Sequence, residues 1–144
     1  MRASLVKLIY ACAFWAGLVA PAGVGSAQIL NESMKTQHFE DLAYPLAARL
    51  SHVEGIVVVR LHLDEEGRVI NATAISGPKA LISESVANAK KWRFQPNSEE
   101  AAVIVYRFRF EGLCNLPCTS QSRYEPPNFV TVTTGNPIVD HSAQ

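Results

Sequence analysis

The sequence predicts an α+β domain, and three observations carry that prediction. Val57, Val59, Leu61 and Leu63 alternate with Ile56, Val58, Arg60, His62 and Asp64, the period-two pattern of a strand with one buried face. Ile104, Tyr106, Phe108 and Phe110 alternate in the same way with Val103, Val105, Arg107 and Arg109. Two further segments, one before each of these runs, space their apolar residues as helices do. The order is helix, hairpin, helix, strand.

The chain has 144 residues, enough for one ordinary domain. Hydrophobic residues make up 48% and charged residues 18%, a globular composition that excludes a wholly disordered chain. Thirteen basic residues balance thirteen acidic ones, so the basic footprint of a nucleic-acid binder is absent.

Residues 1–27 have the layout of a secretory signal. Arg2 and Lys7 precede an apolar run from Leu8 to Ala20, Pro21, Gly23 and Gly25 break it, and Gly25-Ser26-Ala27 offers small residues for cleavage after Ala27. The alternative is a retained membrane anchor, although the run falls short of the roughly 20 apolar residues of a spanning helix. Cleavage leaves eleven basic residues against thirteen acidic ones and retains Cys114 and Cys118. An exported chain meets an oxidising compartment, where these two cysteines can pair. A metal site needs more ligands than this pair, and no histidine is near it in sequence, so no metal is assigned.

Residues 28–38 form a polar linker. Phe39 to Ser51 is expected to be a short helix, with Pro45 in its first turn and a stripe of Leu46, Ala47 and Leu50. Gly55 ends that unit, and the first strand covers Ile56 to Asp64. Asp64-Glu65-Glu66-Gly67 makes the hairpin turn, with Gly67 supplying a positive φ. In the return strand, Arg68 to Ser76, either Ile70, Ala72 and Ala74 or Val69, Asn71, Thr73 and Ile75 point inward, an ambiguity that a β-bulge would explain. Gly77-Pro78 breaks the strand. Ser83 is the expected N-cap of a helix running to about Trp92, with Val86 and Ala89 on its stripe, Lys90, Lys91 and Arg93 suiting its C-terminal end, and Pro96 stopping it. Ala101 to Phe110 is the strongest strand, its aromatic set inward and its arginines outward beside Arg60. Residues 113–144 form an extension with the two cysteines, a short strand over Phe129 to Thr133, and a frayed end from Gly135.

Four local motifs occur in a fixed order: Tyr44-Pro45 before Ala48-Arg49, Glu54-Gly55-Ile56-Val57, Asp64-x-x-Gly67-Arg68-Val69, and Trp92-Arg93-Phe94-x-Pro96. Together they resemble the TonB C-terminal domain family over residues 39–112. The resemblance implies a three-stranded antiparallel sheet with two helices on one face, to which the strand read at Phe129 to Thr133 would be an addition. It also implies a protein or peptide partner, such as the TonB-box segment of an outer-membrane receptor, gripped by strand addition at a sheet edge. An edge strand presents unpaired N–H and C=O groups that an extended peptide satisfies with little demand on side-chain identity. The expected edge is the last strand, through Val103, Val105, Arg107 and Arg109, and such an edge also permits a homodimer. Tyr44, Pro45, Gly55, Gly67, Trp92, Arg93, Phe94 and Pro96 carry the resemblance, and each also has a packing or turn role.

Family transducers resemble a tethered rod with an anchor and a long spacer. From Gln28 to Phe39 the chain reaches at most about 40 Å. The expectation is therefore a periplasmic binding module released from its signal, with a membrane-anchored energy transducer on the periplasmic side of the inner membrane as the alternative. The strand over Phe129 to Thr133 is expected to lie along Val103–Phe110, shielding that edge or occupying the peptide site in cis. No enzyme is expected: His38, His52, His62 and His141 are scattered, no nucleophile elbow or P-loop occurs, and no catalytic residue or cofactor is assigned.

Overall fold

The computed structural model describes residues 35–115 and 117–138. The signal and its cleavage position, most of the linker, and the end from residue 139 lie outside the described residues. The elements in chain order are β1 (Thr36–His38), α1 (Leu46–Leu50), β2 (Gly55–Leu63), β3 (Val69–Ser76), α2 (Lys79–Ala89), β4 (Arg93–Phe94), β5 (Ala101–Cys114), β6 (Ser120–Glu125) and β7 (Phe129–Pro137).

The fold is α+β, but its main sheet has five strands rather than the expected three, in the order β3-β2-β5-β7-β6. β1 and β4 form a separate two-stranded ribbon. β2 pairs antiparallel with both β3 and β5. β7 pairs parallel with β5, and β6 closes the far side antiparallel to β7. The chain leaves β5, passes over one strand position to β6, and returns between the two as β7. The extension is therefore continuous with the sheet.

The alternation of the strands sets the core. Val57, Val59 and Leu61 are fully buried and Leu63 nearly so, facing Ile104, Tyr106 and Phe108 of β5 across one layer. Val130 and Val132 of β7 continue that layer and are equally buried. In β3 the bulge is real: register shifts interrupt its pairing with β2 at both ends, and Ala72 and Ala74 lie opposite Leu61 and Val59. Ile70 and Ile75 are left exposed, and Val69 packs on the core.

Both helices differ from the expectation. Phe39 to Tyr44 is not helical, and α1 has only five residues after Pro45. Tyr44 precedes a proline, which disfavours the helical region there. The lead-in is held instead by tertiary bonds: the Asn88 side-chain amide donates to the carbonyls of Glu40 and Asp41, and the Leu42 and Tyr44 amides donate to the Ser122 and Ser120 hydroxyls. Leu46 and Leu50 are exposed, so that stripe is not core, and Ala48 is the buried residue of α1. α2 starts at Lys79 with Pro78 as its N-cap, five residues before the expected N-cap Ser83. Ser83 is thus internal, and the buried stripe is Leu81, Ser85, Asn88 and Ala89. Gly77-Pro78 ends one element and opens the next, since proline's fixed φ suits a helix entry.

Candidate functional site

β5 places Val103, Val105, Arg107 and Arg109 on the open face of the sheet, opposite the helices. It does not offer the backbone edge expected of them. β2 occupies one side of β5 and β7 the other, in a register running from Val105↔Phe129 to Cys114↔Pro137. Asn128 starts that pairing: its carbonyl accepts the Val105 amide at 2.9 Å, and its side chain donates to the Val103 carbonyl at 2.9 Å. The expected shielding of Val103–Phe110 by Phe129–Thr133 is observed.

The β6–β7 hairpin is built into the core. Val130 and Val132 are fully buried. Tyr124 of β6 joins Phe39 and Trp92 in an aromatic triad with ring centroids 5.2–5.4 Å apart. Its hydroxyl donates to the Pro127 carbonyl at 2.7 Å. Burying two valines alone is worth about 3–6 kcal/mol. A peptide competing for the β5 edge must overcome that before gaining anything, so β7 is a constituent strand rather than a loose cover.

The sheet has two outer edges, β3 and β6. The lead-in flanks β6 through the two serine hydroxyls. β4 meets the β3 edge only just before the strand begins, through the Arg68–Arg93 bridge and the Phe94 amide on the Gly67 carbonyl; among the described residues, Val69–Ser76 itself makes no backbone hydrogen bond outside its ladder with β2. Its sequence, VINATAIS, contains no charge and no proline. Those are the usual devices that protect an edge from other strands, and here only the bulges are present.

The open face carries arginines from three strands. Arg60 lies opposite Val103, Arg107 and Arg123 flank Thr131, and Arg109 lies beside Thr133. The Arg107 guanidinium sits 4.6 Å from the Phe129 ring centroid. Arg109 pairs with Glu111, and Arg123 with Glu125 at 3.4 Å.

The motif residues do structural work. Tyr44 donates its hydroxyl to the Val53 carbonyl at 2.7 Å, and burial, with the Glu54 charge second, pushes its pKa up to about 12. Pro45 caps α1, and Gly55 opens β2. Gly67 has φ +76° and its backbone lies against Phe94, so a side chain there meets both strain and the Phe94 carbonyl. Trp92 and Phe94 are fully buried. Arg93 pairs with His38 in the small ribbon, and Pro96 is an exposed residue after it.

One structural anchor escaped the sequence. Asn88, 4% exposed, accepts from the Trp92 indole at 3.0 Å and the Tyr106 hydroxyl at 2.8 Å while donating to the lead-in. Burial drives the Tyr106 pKa well above the usual tyrosine value. A mid-helix asparagine four residues before a tryptophan is the only local signal for this network. At the turn, desolvation opposes ionisation of Asp64, but hydrogen bonds from the Arg68 side chain and amide outweigh it and lower its pKa.

Comparison with known proteins decides the family. The family model described as the Gram-negative bacterial TonB protein C-terminal matches residues 40–111. The chain belongs to the TonB C-terminal domain family. No curated protein and no solved structure matches it. The TonB C-terminal match makes the chain a TonB-like protein-interacting module of a Gram-negative periplasmic family. The match ends inside β5, so β6 and β7 lie beyond the TonB C-terminal segment. Cys114 and Cys118 form a disulfide at the turn into those strands. Gly135 packs directly on it, with the site of an added Cβ only 2.6 Å from the Cys114 Sγ. Among the described residues no helix is long and apolar enough to cross a membrane, and no cluster of three metal-ligating side chains occurs.

Proposed function

We infer that the chain is a periplasmic binding module, exported by a signal removed after Ala27, that takes an extended segment of an envelope protein as an added strand. One observation carries this reading: β3 is an eight-residue edge strand with no charge and no proline, whose residues Val69–Ser76 make no backbone hydrogen bond outside the ladder with β2 among the described residues. The β5 edge, which the resemblance favours, is filled by β7 at a stability that a short peptide does not match. The added strand therefore belongs on Val69–Ser76, where its amides and carbonyls meet free backbone groups and Ile70 and Ile75 supply apolar contact. A second copy of the chain is an alternative occupant of the same edge.

The test is selection of random extended peptides against the full chain by display, followed by amide mapping of the bound state. Slowed exchange along β3 supports the reading. Loss of the β5–β7 pairing on binding places the strand on β5 instead. Ile70→Lys and Ile75→Lys, both at exposed positions, should abolish binding without unfolding the protein.

The family match also favours a second reading, an energy transducer anchored by residues 1–27 that couples an inner-membrane motor to outer-membrane receptors. The intact mass of the protein recovered from the cell envelope separates the two. A soluble species beginning at Gln28 supports the free module, and a membrane-bound species retaining residues 1–27 supports the transducer.

A further inference from the structure

The open face of the sheet holds a second surface, independent of the edge. Arg107 and Arg123 flank Thr131 in one cross-strand row, and Arg109, Thr133 and Gln121 form the next. Strand spacing puts Arg107 and Arg123 about 10 Å apart and Arg109 about 7 Å along β5 from Arg107. A groove of about 390 Å³ is lined by Arg109, Arg123, Gln121, Thr131, Thr133 and Glu111, with Arg107 beside it.

The protein's own carboxylates show what this chemistry holds. Glu125 accepts from the Arg123 guanidinium at 3.4 Å and the Thr131 hydroxyl at 3.3 Å, and Glu111 accepts from Arg109. Each pair links residues two apart on one strand, and side chains of both pairs are 43–81% exposed. Ion pairs of that kind are weak and readily exchanged. Beside the groove runs an apolar row of Val58, Val105 and Phe129, with Arg107 over the Phe129 ring.

We propose that this face docks an acidic segment of a protein partner, its carboxylates replacing those of Glu111 and Glu125 on Arg109 and Arg123. An apolar residue of the segment rests on the Val58–Val105–Phe129 row. The interleaved glutamates argue against a dense polyanion, which would meet like charges on this face, whereas a segment carrying both carboxylates and apolar side chains matches two adjacent arginine rows bordered by one apolar row. Arginine suits the task because its planar fork engages a carboxylate through two bonds.

The test uses the full oxidised chain and three fluorescent peptides: one alternating Glu with Phe and Val, its Gln-for-Glu counterpart, and its Lys-for-Glu counterpart. Anisotropy should show the Glu peptide binding at least tenfold more tightly than either counterpart, with affinity falling as salt rises. Arg109→Gln with Arg123→Gln should weaken the Glu peptide about tenfold, the size of two exposed charge contacts, and leave the unfolding midpoint unchanged. Ile70→Lys should leave this binding intact, which separates the site from the β3 edge. Equal binding of the Gln peptide, no binding of the Glu peptide, unaltered affinity in the arginine variant, loss of binding in Ile70→Lys, or equally effective competition by a polyphosphate would each overturn the proposal.

Discussion

If the β6–β7 hairpin is part of the core, a small cut into β7 must destabilise the whole domain. Val132 is fully buried and pairs with Phe108 across the β5–β7 ladder. Val132→Ala removes about two methylene equivalents, worth about 1.6 kcal/mol in transfer alone. Incomplete collapse of the resulting cavity brings the total to about 2–3 kcal/mol. That is a large share of the 5–15 kcal/mol expected of an ordinary domain. The assay is urea unfolding followed by Trp92 fluorescence and far-ultraviolet circular dichroism, joined to native-state hydrogen exchange. In a chain lacking residues 1–27, Trp92 is the sole tryptophan, and it packs against Tyr124 of the hairpin. Both optical probes should shift together to lower urea, and the slowest β2 amides should lose the same free energy as those of β7. The reasoning is refuted if β7 amides exchange through a separate low-energy opening while β2 is unaffected. The hairpin would then be a detachable lid and the β5 edge would be open to partners.

Other outcomes follow from the same packing. Gly135→Ala should destabilise the oxidised protein by about 1–3 kcal/mol through overpacking on both the Sγ and the Cβ of Cys114, and a substantial part of that cost should persist in a Cys114→Ser, Cys118→Ser background, where the Cβ remains, as measured by urea midpoints. Reduction of the wild-type disulfide should cost about 2 kcal/mol by the loop-entropy relation for so short a loop and add about 2 Da in intact mass. Asn88→Ala should cost about 2–4 kcal/mol, because the Trp92 indole and Tyr106 hydroxyl lose a buried acceptor; calorimetry gives the loss, and faster exchange at Leu42 and Tyr44 would show the lead-in released. Tyr44 keeps its proton to about pH 12 in the folded protein, against about 10 when unfolded. Its contribution is fully present below pH 10 and is lost as pH rises toward 12, so stability should fall across that window. An equal fall in stability between pH 10 and 12 in Tyr44→Phe, followed by urea unfolding, would contradict it.

Much of the fold was legible because one physical signal dominates its central strands. The alternation at Val57–Leu63 and Ile104–Phe108 reports a single buried face, and burial follows it residue by residue. The β3 ambiguity was also a true signal, since register shifts at both ends change which residues face inward. β6 was illegible because its inward residues include Ser120 and Ser122, which are placed there to hold the lead-in and not to fill a core. α1 misled because Leu46 and Leu50 have helical spacing without burial. The outward arginines of β5 were read correctly as a face, but their edge was not free. Which strand lies at an edge depends on the order of the whole sheet, and no local pattern encodes the insertion of β7 between β5 and β6. The free edge at β3 is therefore a property of the topology, although its lack of protecting charges is written in the sequence VINATAIS.

The most direct measurement of the central claim is amide hydrogen exchange of the full chain with and without a display-selected extended peptide. The account predicts new protection confined to Val69–Ser76, with the β5–β7 amides unchanged. Protection appearing instead on Val105–Phe110, with β7 exchanging freely, would show that the partner displaces the chain's own strand and would contradict the account.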